Sequence, residues 1–193
     1  MEAFRDLPTQ HCQDIDTLTF PTEPQQLTLH SPALSVLTDF SRTKPLIIEA
    51  STPIDRALEM MKKSHVRMKL VVDEQEHFLG IISTIQLQSD DVLAKATKLR
   101  LPRNELSVKD VMLPRQQLQV LELKTLSKAK VGDLLQTLKH LGLQHTVVVD
   151  AASQQICGMI SAADIARKLH IPFELAQRNV TFAAIFNSLY PAQ

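Results

Sequence analysis

The chain of 193 residues is predicted to have an α+β fold made of two copies of one unit, because the same motifs occur twice in the same order. An apolar-Val-Val-Asp stretch is followed by a Gly-apolar-Ile-Ser stretch, first at 70–73 and 80–83, then at 147–150 and 158–161. An amphipathic stripe with helical spacing precedes each pair, at Ile54, Ala57, Leu58 and Met61 and at Val131, Leu134, Leu135 and Leu138. Agreement between a helical and a strand pattern favours a true repeat.

The first unit is predicted to run strand, helix, strand, strand, helix. Its first four elements are expected at 46–48, 54–64, 68–72 and 78–83. Thr52-Pro53 is interpreted as the cap and start of the first helix. The turn at 73–77 is short and polar, so the two strands beside it should form an antiparallel hairpin.

The second unit is predicted to repeat this order and to end in a helix. The apolar stripe of that helix is Ala162, Ile165, Ala166 and Leu169, and His170-Ile171-Pro172 stops it. The connection at 124–130 is longer than in the first unit and is expected to be a surface excursion. Helices with one apolar face imply sheets covered on one side, so the two units should pack together.

Each unit has a short lead-in. Ser31-Pro32 is interpreted as an N-cap and first helical residue of a turn that ends near Asp39-Phe40, and 108–112 is its counterpart. We expect four segments: an N-terminal arm over 1–33, a first unit over 34–100, a second over 101–172 and a C-terminal helical tail over 173–193. In the arm, Phe20, Leu27 and Leu29 are candidate docking points.

The tail contains one more apolar stripe, made of Phe182, Ile185, Phe186 and Leu189. A short helix with such a face must bury it. Two alternatives remain open from the sequence: the face packs on its own module, or it contacts another subunit or a partner protein.

Composition excludes several functions. The chain has 21 basic and 21 acidic residues, so it lacks the basic field that nucleic acid binding uses, and it contains no apolar run long enough to cross a membrane. Its two cysteines are Cys12 and Cys157, and Cys157 sits in an apolar strand, which suits a reducing cytoplasm. The seven histidines show no spacing typical of a metal site, and no nucleophile elbow or phosphate loop is present, so we expect neither a metal nor catalysis.

The tandem order of these motifs, with the Val-Lys-Asp-Val-Met lead-in at 108–112, resembles a CBS-domain pair, or Bateman module, of the stand-alone bacterial kind. The resemblance covers roughly 34–169. It implies a disc-shaped module, often a homodimer, with two clefts between the units that bind adenine nucleotides or related ligands. No cofactor is required, and the candidate regulatory ligands are AMP, ADP, ATP and S-adenosylmethionine.

The resemblance also assigns site residues in the second unit. Ser161 and Asp164 match its Ser/Thr-x-x-Asp pattern, so Ser161 would donate to phosphate and Asp164 would accept from the ribose hydroxyls. His145, Thr146 and Val147 would line the base. Both motif residues also have an ordinary alternative, because serine caps helices and a first-turn aspartate is stabilised by the helix dipole.

The first unit keeps only part of the pattern. Ser83 is present, but Gln86 stands where the ribose-binding acid would be. Arg67 and Lys69 are candidates to compensate by contacting phosphate, although such charges usually just face water. We therefore expect one competent cleft and one weak one.

These expectations combine into a non-catalytic regulatory module that senses an adenine nucleotide in the cleft. The alternative is a dimerisation or interaction scaffold whose clefts are vestigial and whose C-terminal helix recruits a partner. A loss of ligand affinity on Asp164→Ala would favour the sensor, and sensitivity to Phe186→Ala would favour the scaffold.

Overall fold

Two four-stranded sheets organise the computed structural model, which describes residues 8–9, 26–141, 143–171 and 181–190. The strands are β1 (Thr38–Asp39), β2 (Ile47–Glu49), β3 (Met68–Val72), β4 (Phe78–Ser83), β5 (Leu113–Pro114), β6 (Val120–Glu122), β7 (His145–Asp150) and β8 (Gln155–Ser161). Cys12, Phe20 and Pro172, together with most of the arm and parts of the tail, lie outside the described residues.

Eight helices of the described residues accompany the sheets: α1 (Ile54–Lys63), α2 (Thr84–Gln88), α3 (Asp91–Leu99), α4 (Val108–Val111), α5 (Leu123–Leu126), α6 (Val131–Leu138), α7 (Ala162–Lys168) and α8 (Phe182–Leu189). Short 3-10 turns occupy Ala33–Val36, Arg103–Glu105 and Arg115–Gln117. Within the described residues, no helix has the length and apolar character needed to cross a bilayer.

The predicted hairpins are confirmed in both units. β3 and β4 pair antiparallel, with Leu70 opposite Ile81, and β7 and β8 do the same, with Thr146 opposite Ile160. The short strands β2 and β6 add in parallel to β3 and β7. The α+β class and the repeated strand, helix, strand, strand, helix order are therefore those expected.

The fourth strand of each sheet comes from the lead-in of the other unit. β1 precedes the first unit in sequence but pairs with β8 of the second, and β5 precedes the second unit but pairs with β4 of the first. β1 was not predicted, since the helical turn was expected to continue to Asp39-Phe40, whereas it ends at Val36. A strand of two residues has no periodicity to detect, and it forms here because its partner strand offers free backbone groups.

Alternating strand residues divide the core into three parts. Val71 and Ile82 point to the helices of the first unit, and Val148 and Ile160 point to those of the second. The other faces of the two sheets meet in a third cluster built on Met68, Leu70, Ile81 and Val147, which confirms that the units pack together.

Three details of the elements predicted from the sequence were wrong. Pro53 takes the N-cap position of α1 without a side-chain cap, because proline has no side-chain acceptor, and the Ile54 N–H donates to the Leu106 carbonyl at 3.0 Å. The stretch at 124–130 is not wholly a surface excursion, since it contains most of α5 and buries Leu126 at 3% exposure. Helix α3 was not foreseen at all.

Both chain ends described by the structure pack on the second unit. Phe182 and Ile185 of α8 are buried in its core beside α6 and α7, as the first of the two alternatives for this helix requires. At the other end, the carbonyls of Leu29 and Ser31 accept the N–H groups of Gly132 and Val131, each at 2.9 Å. These carbonyls satisfy two of the free N–H groups at the start of α6.

Candidate functional site

A cavity of about 920 Å³ lies between the two units. One wall is formed by 65–68, where the chain leaves α1 and enters β3 of the first unit. The facing wall is formed by the starts of β7 and α7 in the second unit, and Thr38 of the exchanged strand β1 contributes beside them. A cavity of this size accommodates a nucleotide-sized ligand.

Ser161 sits where β8 ends and α7 begins. Its Oγ accepts the N–H of Asp164 at 3.4 Å, so the serine caps the helix, and it is only 6% exposed. The hydroxyl proton remains able to donate to a further acceptor, because capping uses only a lone pair. The ordinary capping role and a ligand contact are therefore compatible.

Asp164 lies in the first turn of α7 and lines the cavity. One carboxylate oxygen, Oδ1, accepts a hydrogen bond from Nη2 of Arg167, one turn further along the helix, and both side chains are partly exposed. Arg167 lines the cavity as well. The acid expected to bind ribose thus already forms an ion pair within the cavity wall.

His145 starts β7 and is the cross-strand neighbour of Ser161. Burial, and to a lesser degree the positive charge of Arg67, lower the pKa of its imidazole to about 4. The ring is therefore neutral near pH 7, with one nitrogen that donates and one that accepts. Such a group can hydrogen-bond a purine ring without carrying charge.

The remaining predicted residues lie elsewhere. Thr146 and Val147 are each 2% exposed and line a separate cavity of about 220 Å³. Lys69 Nζ donates to the Ile47 carbonyl at 3.3 Å, and Ser83 caps α2. Of the seven predicted residues, the structure brings His145, Ser161 and Asp164 together in the wall of the large cavity.

The cleft related to it by the repeat is much smaller. Leu113 of β5 lines the 220 Å³ cavity at the position that Thr38 of β1 has in the large cavity. Gln119 likewise takes the position that Leu46 has in the large cavity. Leu141 and Leu143 line it as well. The two clefts therefore differ about fourfold in volume.

Gln86 takes part in a capping box. Its side-chain oxygen accepts the N–H of Ser83 at 2.9 Å, while its own N–H donates to Ser83 Oγ at 3.2 Å. It lines a third cavity, of about 590 Å³, beside α3. Gln86 thus stabilises the start of α2 and lies outside the wall of the small cleft.

Sequence reasoning missed several residues of the large cavity. Arg67 was considered for the cleft of the first unit, but it lines the cleft that contains Asp164, together with Thr38 and Arg167. Arg167 carried a usable signal, since it follows Asp164 at helical spacing. Among the described residues, no three His, Cys, Asp or Glu side chains are grouped so as to hold a metal ion.

Comparison with known proteins identifies a domain and a shared fold. The family model of the CBS domain matches residues 37–87, so the chain contains a CBS domain there. No curated protein matches the chain significantly in sequence.

Three solved structures share the fold. An uncharacterised conserved protein from Pyrococcus horikoshii is 16% identical, with 73% of this chain and 93% of that one covered and a TM-score of 0.53. CBSX2 in complex with AMP, from Arabidopsis thaliana, is 20% identical, with 71% and 94% covered and a TM-score of 0.52. Protein MJ1225 from Methanocaldococcus jannaschii is 19% identical, with 70% and 49% covered and a TM-score of 0.52.

These likenesses concern the fold. The two repeated units and their exchanged strands form the fold of a CBS-domain pair. The family match lies in the first unit, and the large cavity is lined by residues of both units.

Proposed function

We propose that the protein is a non-catalytic regulatory module that senses an adenine nucleotide or a related ligand in the 920 Å³ cleft. The observation that carries this proposal is the meeting of Ser161, Asp164 and the neutral His145 in one cavity wall. A carboxylate accepts from ribose hydroxyls, a hydroxyl donates to phosphate, and a neutral imidazole bonds a purine edge. AMP, ADP, ATP and S-adenosylmethionine are the candidate ligands, and CBSX2, which shares the fold, was solved with AMP.

The position of the cleft suits a sensor. A ligand in it contacts both units, so it favours whichever relative arrangement of the units fits it better. Helix α7 carries Asp164 near its start, and at its end Lys168 Nζ donates to the Ser35 carbonyl at 2.8 Å. The same helix packs against α8. A change at the cleft therefore has a short physical path to both the N-terminal lead-in and the C-terminal helix.

We infer that the first unit contributes little ligand binding of its own. Its cleft measures about 220 Å³, and the residue in the position of the ribose-binding acid, Gln86, is engaged in capping α2. One ligand per chain is the expected stoichiometry. The homodimer typical of the family is proposed for this protein too, and a partner contact through α8 would have to use its outer side, because Phe182 and Ile185 are buried.

A thermal-shift series with AMP, ADP, ATP and S-adenosylmethionine tests the proposal. Ligand at about 100 times its dissociation constant adds about 2.7 kcal/mol, which for a chain of this size raises Tm by roughly 5 to 10 °C. Asp164→Ala should abolish most of that rise. Asp55→Ala is the matched control, because Asp55 is also a first-turn aspartate paired with an arginine but lies away from the cavity.

A flat response to every adenine ligand would refute the sensor. The alternative is a dimerisation or interaction scaffold with vestigial clefts, in which Ser161 and Asp164 serve only as helix cap and ion-pair partner. In that case Asp164→Ala and Asp55→Ala would behave alike under all conditions.

A further inference from the structure

The 590 Å³ cavity beside α3 is distinct from the two clefts. It shares no lining residue with the large cavity and only Leu113 and Gln117 with the small one. Helix α3 contributes Lys95 and Lys98 to its wall, and α4 contributes Lys109. Three ammonium groups from two helices therefore line one cavity.

The side chains of these three lysines have no partners within the part of the chain that the structure describes. None of them forms an ion pair or donates a hydrogen bond there. Two carboxylates also line the cavity, and both have local roles. Asp110 Oδ2 accepts from the N–H and the hydroxyl of Ser107, at 2.8 and 2.6 Å. Asp91 lies in the first turn of α3, where the helix dipole stabilises it.

The second unit has a leucine in the position of Lys109. Isolated backbone bridges tie the two lead-ins to the starts of α1 and α6, at Ser107 in one lead-in and at Pro32 in the other. Lys109 and Leu34 each lie two residues after the bridged residue, so they occupy equivalent positions. The repeat alone therefore does not account for this lysine.

The charges near Leu34 are also paired. Leu34 lines a cavity of about 750 Å³ in which the basic side chain is that of Arg42. Its Nε lies 3.7 Å from Asp39 Oδ2, and Asp39 lines the same cavity. The lead-in of the first unit thus borders a neutralised cavity, whereas the lead-in of the second unit borders one with unpaired ammonium groups.

A neutral donor and an apolar surface complete the lysine cavity. Gln86 Oε1 accepts the N–H and the hydroxyl of Ser83, which leaves the amide NH2 without a partner among the described residues. Val92 and Val111 line the cavity and are 1% and 5% exposed. Cations, an amide donor and apolar side chains together suit a small anionic molecule.

We propose that this cavity binds a small molecule that carries two or more phosphate groups. The ammonium group of lysine is a compact charge that binds phosphate oxygens without requiring a bidentate geometry. A second phosphate allows the lysines of α3 and the lysine of α4 to be engaged together. The occupant would then connect α3 to α4 and, through β5 that follows α4, to the start of the second unit.

Titration calorimetry of the full chain with pyrophosphate at low ionic strength tests the proposal. Pyrophosphate should bind at least about tenfold more tightly than inorganic phosphate or sulfate, because it engages a further ammonium group. Fructose 1,6-bisphosphate, measured beside it, distinguishes the source of the phosphates. Tighter binding of the sugar bisphosphate indicates an organic phosphate, and tighter binding of pyrophosphate indicates an inorganic one.

Lysine variants show whether these groups carry the binding. Lys98→Gln and Lys109→Gln should each weaken pyrophosphate binding by about tenfold, the factor expected of one charge-assisted contact. Lys109→Arg should keep most of the affinity, because it keeps the charge. Lys62→Gln is the matched control, since Lys62 is an exposed lysine of α1 that does not line this cavity, and it should change the affinity by less than about twofold.

Hydrogen exchange read by mass spectrometry locates the bound anion. Pyrophosphate should protect amides in 86–98 and 108–117, and protection confined to 145–168 would instead place it in the large cleft and overturn the proposal. The proposal is also overturned if pyrophosphate binds no better than sulfate, or if its affinity is unchanged in both glutamine variants. No adenine ligand enters these measurements, so their outcome is independent of the thermal-shift test of the nucleotide sensor.

Discussion

Gly158 lies directly against the backbone of Thr38, since a Cβ on this glycine would be 2.6 Å from the Thr38 carbonyl oxygen. The exchanged strand β1 crosses β8 at this point, and Asp39 pairs with Gly158 in register. Gly80 has the same relation to β5 in the first unit, where a Cβ would meet the backbone of Leu113 and Pro114. The repeated glycine of the sequence is thus explained by close approach of a second backbone.

Gly158→Ala is expected to destabilise the protein by about 1 to 3 kcal/mol, because β1 must shift to admit the methyl group. Gly80→Ala should have a similar effect through β5. Urea denaturation monitored by circular dichroism measures both. Gln155→Ala, an exposed position on the same strand, serves as the control and should stay within about 0.5 kcal/mol of the wild type. A Gly158→Ala variant as stable as this control would show that β1 is not held against β8.

Phe182→Ala tests whether α8 belongs to the core of the second unit. The Phe182 ring is fully buried, so truncation should cost about 3 to 5 kcal/mol of unfolding free energy. Tyr190, at the end of the same helix and 55% exposed, provides the contrast, and Tyr190→Ala should cost less than about 1 kcal/mol. Equal and small losses in the two variants would instead mean that α8 does not pack on the second unit in solution.

His145 should make stability depend on pH. In the unfolded chain it takes up a proton near its ordinary pKa of 6.5, whereas burial delays protonation in the folded state to about pH 4. The free energy of unfolding that depends on the neutral His145 is therefore fully present above pH 6.5. It is lost as pH falls from 6.5 to 4, by roughly 3 kcal/mol at most.

Urea midpoints measured from pH 7.5 to pH 4.5 check this dependence. His145→Gln should remove most of the loss on acidification, because no group at this position then titrates. His30→Gln, which removes an exposed histidine, should follow the wild-type curve. A wild-type curve that stays flat over this range would contradict the burial of a neutral imidazole.

Gln86→Asp tests whether the missing acid alone accounts for the weak cleft. The variant gives the first unit the Ser-x-x-Asp pattern of the second, yet the small cleft remains about 220 Å³ and is lined by Leu141 and Leu143. We expect calorimetry to show one nucleotide per chain in the variant, as in the wild type. A stoichiometry of two would show that the carboxylate, and not the volume, limits binding there.

Local patterns predicted most of the fold. The hairpin strands β3 and β4 have the predicted bounds, since alternation and a short polar turn are properties of the segment itself. Strands β1 and β5 escaped prediction because they exist only through partners distant in the chain. The same division holds for the site: Ser161 and Asp164 lie in one helical turn and form a motif, whereas Arg67 reaches the cavity from the other unit and belongs to none.

The exchange of β1 and β5 also limits how the chain can be divided. A fragment that contains only one unit would carry a strand that pairs in the sheet of the missing unit. Its own last hairpin strand would have an unpaired edge. Bare strand edges recruit other chains. Half-molecules of this protein should therefore associate or aggregate when expressed singly and reconstitute when mixed.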